Sequence, residues 1–199
     1  VQADIWDLRR LFRADSSGRA YEPIEIDLVQ WLGQPLPCIA SPESEAGFDV
    51  YLAILPGNLL HQLYHEFGAR LLELNVRSFL QARGKVNRGI RDTLKDEPSA
   101  FIAYNNGISA TAEWVETATS GAGLAITKLR GLQVVNGGQT VASIHRAKDR
   151  DKIDLSDVYV QAKLTVVRPE QVETLVPLIS RYANTQNRVN EADFSANHP

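Results

Sequence analysis

The segment "LQVVNGGQTVASIHRA", Leu132 to Ala147, runs from an apolar strand through paired glycines into an amphipathic helix. It therefore commits the chain to a strand and a helix joined by a turn of only a few residues. Strand, glycine turn, helix is also an arrangement that sets backbone N–H groups and a helix N-terminus against a phosphate. Yet this turn carries no lysine, serine nucleophile or carboxylate, only Asn136, Gln139 and Thr140. It reads as a working anion site, the remnant of one, or a tight turn.

The rest of the pattern surrounds this unit with strands and helices. "DIWDLRRLFRA" near the start has Ile5, Leu8 and Phe12 at helical spacing, with Asp4 as N-cap and "DSSG" as its end. "IEIDL" alternates and predicts a strand, "QPLPCIASPESEAG" a loop, and "FDVYLAIL" a buried strand closed by Pro56-Gly57. From Asn58 a long helical pattern sets Leu59, Leu63, Phe67 and Leu71 on one face, with Gly68 as a break. "VNRGIRDTLKD" predicts a short helix before Pro98. "AFIAYNN", "ISATAEWVE", "AITKLRG" and "LQVV" read as strands punctuated by Gly107 and "SGAG".

A helix from Gly137 to Lys148 follows, and then "VYVQAKLTVV", which alternates over ten residues and is the strongest strand signal in the chain. The last helix, "PEQVETLVPLISRYAN", has Pro169 in its first turn and a stripe of Val172, Leu175, Val176, Ile179 and Tyr182. Pro177 should kink it. This order predicts an α+β fold with a mixed, mostly antiparallel sheet and packed helices. Residues 1–74 form an N-terminal helix and strand region and 75–199 the core with the polar motifs, in one continuous domain. A start at Val1 and the lack of any methionine suggest a domain excised from a longer polypeptide.

With 199 residues the chain can bury a real core, and 44% hydrophobic against 23% charged residues argues against disorder. No apolar run approaches the roughly 20 residues needed to span a membrane. One cysteine, Cys38, excludes an internal disulfide framework and fits a reducing, cytoplasmic setting. The net charge of −3 is unevenly spread. Asn75 to Lys95 holds six basic residues, Arg77, Arg83, Lys85, Arg88, Arg91 and Lys95, against one acid, Asp92. That stripe suits either contact with phosphates or a solvated helix face.

Three stretches are polar where their surroundings are apolar: "YNNG" (Tyr104 to Gly107), "VNGGQT" (Val135 to Thr140) and "ANTQN" (Ala183 to Asn187). Their amides make Asn105, Asn106, Asn136, Gln139, Asn184, Gln186 and Asn187 candidate ligand contacts, along with Gly137, Gly138 and Thr140. Amides both donate and accept, so they suit a base edge or a ribose, but they are poor acids, bases or nucleophiles. Taken singly, each stretch is also an ordinary turn or cap. His61 and His65 have helical zinc-binding spacing, but Glu66 follows the second histidine, so the HExxH order is absent and they read as surface histidines. No catalytic triad, P-loop or GxGxxG occurs.

Four blocks, "ARLLELNVRSFLQARGKVNRGIRDTL", "AFIAYNNGISATA", "LQVVNGGQTVASIH" and "ISRYANTQNRVNEADFSANHP", together resemble the AIPR family, named for abortive infection phage resistance. They cover roughly Gly68 to Pro199; the first third matches more loosely. The resemblance implies a bacterial protein, usually longer than this chain, that accompanies restriction or other phage-defence genes. More distantly, the turn from Asn136 to Gln139 and the segment with Asn184, Thr185 and Asp193 are similar to ParB-like DGQHR and DGQQR proteins, which implies a ParB-like fold and a nucleotide- or phosphate-facing loop. Here Asn136 replaces their aspartate and Gln139-Thr140 their arginine, so metal binding and a phosphate fork from these residues are lost.

Three readings follow. The first is a nucleic-acid- or nucleotide-binding domain of a defence protein, with Arg77, Arg88 and Arg91 on phosphates. The second is a nuclease or NTP hydrolase with a degenerate ParB-like site, using Mg²⁺. The third is a scaffold or sensor domain in which the amides serve only as turns and caps, alongside partner proteins of a defence system.

Overall fold

A computed structural model describes residues 23–42, 47–75, 85–121 and 123–185. The helix expected near the N-terminus lies outside these residues. In chain order the elements are β1 (Glu25–Asp27), α1 (Leu28–Leu32), β2 (Leu36–Ala40), β3 (Phe48–Pro56) and α2 (Gly57–Phe67). Next come α3 (Lys85–Asp96), α4 (Phe101–Tyr104), β4 (Ile108–Ala112), β5 (Trp114–Ser120), β6 (Gly123–Arg130) and β7 (Gln133–Asn136). The last are α5 (Gly138–Asp149), β8 (Tyr159–Val167) and α6 (Val172–Thr185). The fold is α+β, and the eight strands form one mostly antiparallel sheet in the order β1-β6-β2-β3-β8-β4-β7, with β5 also paired to β6. Only β4 and β8, among these pairs, run parallel.

Strand β8 shows why the sheet has two unlike faces. Val160, Ala162 and Leu164 are buried while Tyr159, Gln161 and Lys163 are exposed, the alternation expected of a half-covered strand. The covered face packs on Leu59, Leu60 and Leu63 of α2, Leu71 and Leu72 of the 3₁₀ turn after Gly68, and Val141, Ile144 and Ala147 of α5. Strands from both sides of residue 75 share this sheet and this core. Gly68, at φ 52, ends α2 where the helical pattern breaks.

Several local expectations need correction. The "IEIDL" strand stops at Asp27, because its carboxylate accepts the Gln30 N–H at 3.0 Å and caps α1. The proline-rich loop contains β2. Leu36 and Pro37 pair with β6 and Cys38 to Ala40 with β3, so the proline sits where the strand changes neighbours and its missing N–H costs little. "AFIAYNN" is not a strand: Pro98 opens a 3₁₀ turn that leads into α4, burying Phe101 and leaving Tyr104 exposed. "ISATAEWVE" is two strands, broken at Glu113.

Two further corrections concern burial. Strand β3 is not buried on both faces, since Leu52 and Ile54 are 52% and 54% exposed; among the described residues, helices cover only one side of the sheet. Helix α6 buries Val176, half-buries Val172, Leu175 and Ile179, and leaves Tyr182 exposed, so its expected stripe is shorter by one turn.

Candidate functional site

Strand β7 ends at Asn136, and the chain turns into α5 through Gly137 at φ 87. As a glycine, the N-cap Gly137 makes no side-chain capping bond to the helix. The turn needs glycine for space as well as for angle. A β-carbon at Gly137 would stand 2.7 Å from Ile108 Cγ2 and 2.8 Å from the Gly107 carbonyl oxygen. Gly107, at φ 76, is in turn pressed on β8, where a β-carbon would meet the Gln161 carbonyl oxygen at 2.5 Å. The "YNNG" and "VNGGQT" turns are therefore stacked against each other and on the sheet.

Amide hydrogen bonds lock this stack. Asn105 Oδ1 accepts the Gly107 N–H at 2.9 Å, and Asn105 Nδ2 donates to the buried Thr140 hydroxyl at 3.1 Å. On the other side Asn136 Nδ2 donates to the Ala183 carbonyl, and Asn184 Nδ2 donates to the carbonyls of Val135 at 2.9 Å and Ser180 at 2.7 Å. That reciprocal pair ties the last turn of α6 to the end of β7. The three amide stretches, far apart in sequence, thus meet at one junction. Much of their bonding capacity is spent on one another.

The junction closes one end of a row across the uncovered sheet face. Ile39, Leu52, Lys163, Ser109 and Asn136 are successive register partners on β2, β3, β8, β4 and β7. This face forms an open groove of about 1060 Å³. Ile39, Leu52, Ile54 and Tyr159 give it an apolar floor that is exposed to water, while Asn106, Ser109, Gln161 and Lys163 add hydrogen-bonding groups. Cys38 also borders it; burial pushes its thiol pKa up, partly offset by a backbone hydrogen bond with Ile126, which disfavours a reactive thiolate.

The expected site residues thus divide. Asn105, Asn136, Thr140 and Asn184 build the junction, and Gly137 and Gly138 its turn, with Gln139 half-buried in the first turn of α5. Asn106 faces the groove. Arg91 is held by Asp151, with Nε to Oδ2 at 2.7 Å and a second guanidinium nitrogen to Oδ1 at 3.2 Å. Gln186, Asn187, Asp193 and Arg77 lie outside the described residues, and Arg88 falls in α3 where only the backbone is described.

One cluster was not legible in the sequence. His145, from α5, lies against the two histidines of α2, its ring centroid 5.0 Å from that of His61 and 6.0 Å from that of His65. His61 is half-buried rather than a free surface group. Burial, then the nearby His145, His65 and Lys148, lower its pKa, against the opposing effect of Asp149. The only hint was the helical position of His145, one turn after Val141. Among the described residues, no group of three or more histidine, cysteine, aspartate or glutamate side chains could hold a metal ion. Likewise, no described helix is long and apolar enough to cross a membrane.

No curated protein and no solved structure matches the chain. The AIPR protein family does, over residues 72–199, a stretch that contains α3, the amide junction and β8. That match spans well over half of the sequence. The chain belongs to the AIPR family.

Proposed function

We propose that this chain is the nucleotide- or single-strand-binding domain of a phage-defence protein, with its ligand lying in the groove that ends at the amide junction. Membership of an abortive-infection family supplies the defence context. The observation that carries the rest is the row of Lys163, Gln161 and Asn106 along an exposed apolar floor containing Tyr159. Flat apolar surface and an aromatic ring suit the face of a base, amides suit its edge, and a lysine suits a phosphate. A long duplex is a poorer fit, because among the described residues the groove offers one cation and Arg91 is already paired. The N-terminus of α5 adds a weak attraction for an anion at the junction end.

Fluorescence polarisation with labelled ssDNA, ssRNA and nucleotides, at several salt concentrations, tests this. Tyr159→Ala should weaken binding by about 5- to 150-fold, the span of one base–aromatic stack. Lys163→Ala should flatten the salt slope by roughly 0.7. Binding that ignores both changes overturns the proposal. The reciprocal bonds of Asn136 and Asn184 favour a second reading, a scaffold in which the amides only staple α6 to the sheet. On that reading nucleotides leave the melting temperature unmoved.

A further inference from the structure

The strands at the margins of the sheet are not alike. Strand β1 spans three residues and gives way at once to α1. Strand β7 is stapled to α6 through the bonds of Asn136 and Asn184. Strand β5 is longer, seven residues from Trp114 to Ser120, and among the described residues it pairs with β6 alone. In an antiparallel ladder alternate residues bond to one side, so the other half of the N–H and C=O groups of β5 point away from β6. They form an edge about 24 Å long, at roughly 3.4 Å per residue, with no described strand beyond it.

Long open edges usually carry a device that blocks pairing: a proline, a lysine, or a bulge that twists the strand away. Strand β5 has none of these. "WVETATS" contains no proline and no lysine. Its ladder with β6 does slip between Glu116 and Thr117, but the additional residue is Thr127, on β6, so β5 itself runs without a bulge. The one charged side chain on β5, Glu116, is turned back toward its own sheet. The Thr127 hydroxyl lies 3.0 Å from the Glu116 carboxylate and 3.1 Å from its carbonyl oxygen. We propose that β5 is a homodimer interface, in which two copies of this chain pair their β5 strands antiparallel about a twofold axis at Thr117.

The residues of the strand favour a second copy as the occupant. A twofold contact repeats one patch on both copies, so the patch must be compatible with itself. Thr117 is the middle of the seven residues, so an axis there uses the full strand. It sets Thr117 opposite the partner's Thr117, Glu116 opposite the partner's Ala118, and Val115 opposite the partner's Thr119. Like charges do not face each other, and a threonine pair, a favourable cross-strand combination, sits on the axis. An axis one residue earlier would set the two Glu116 carboxylates on each other. Val115, Thr117 and Thr119 share one face and are all β-branched, which suits a pleated surface. Trp114, 48% exposed, then packs at the far end of the partner strand instead of standing in water.

Sedimentation of the chain without nucleotide, over a wide concentration range, tests the pairing. Wild type should pass from monomer to dimer as concentration rises. Thr117→Lys and Thr117→Glu each put like charges on the axis and should raise the dissociation constant about fivefold or more. Mixed in equal amounts, the two variants should regain the dimer, because position 117 then meets its opposite charge. Ala118→Lys, which meets the partner's Glu116, should not weaken it. Thr117 and Ala118 are exposed, and circular dichroism checks that each variant keeps the wild-type fold. A wild type that stays monomeric would overturn the proposal and leave the edge to a foreign strand. A dimer indifferent to both charges at 117, as one formed through the apolar groove would be, would also overturn it. So would mixed variants that associate no more tightly than each alone.

Discussion

The stacked glycine turns give the most direct test of the site's geometry, because a second glycine in this chain supplies its own control. Gly33 and Gly137 both have left-handed backbones, at φ 75 and φ 87. A β-carbon at Gly33 would meet nothing within 4 Å, whereas one at Gly137 would crowd Ile108 Cγ2 at 2.7 Å and the Gly107 carbonyl at 2.8 Å. Alanine at Gly33 should therefore cost only the conformational penalty of an L-residue there, about 1–2 kcal/mol. Alanine at Gly137 carries that same penalty plus overpacking of about 1–3 kcal/mol. The backbone oxygen cannot move aside as a flexible side chain would, so the upper part of the range is expected.

For a chain of this length each kcal/mol shifts the melting temperature by about 2–4 °C. Gly137→Ala should thus melt roughly 2–12 °C below Gly33→Ala in scanning calorimetry. Equal melting temperatures for the two variants would refute the stacking of "YNNG" on "VNGGQT". So would a Gly137→Ala variant as stable as the wild type, since both terms would then be wrong.

Two further outcomes follow from the same geometry. Asn184→Ala strips donors from the Val135 and Ser180 carbonyls and should lower unfolding free energy in urea by about 1–3 kcal/mol, while Asn106→Ala, exposed at the groove, should stay within about 0.5 kcal/mol. Equal effects at the two positions would remove the case for the staple. The lowered pKa of His61 makes acid destabilising: the unfolded chain takes up its proton first, so the contribution is present above pH about 6.5 and lost as pH falls. His145, His65 and Lys148 face the ring as cations or potential cations and Asp149 as the one opposing acid. Wild type should therefore lose more melting temperature between pH 7.5 and 5.5 than His61→Gln does, by differential scanning fluorimetry; parallel losses would contradict the assignment.

Sequence by itself determined the elements whose signal is local. The alternation of β8, the helical stripe of α2 with its break at Gly68, and the strand–glycine–helix unit at Gly137 are each set by periodicity or by a backbone only glycine adopts readily. The AIPR resemblance was legible for a similar reason, because its four blocks are continuous runs of residues. Where a partner decides, the pattern misled. Pro37 looks like a loop residue until β2 is seen exchanging β6 for β3, and Leu52 and Ile54 look like core until the described helices are found on the other sheet face. Tertiary structure alone joined Asn105 to Thr140 and Asn184 to Val135, across 35 and 49 residues, and set His145 beside His61, 84 residues away. No local rule carries such pairings, because side-chain hydrogen bonds and ring contacts form only once the buried faces of α2, α5 and the sheet have chosen each other.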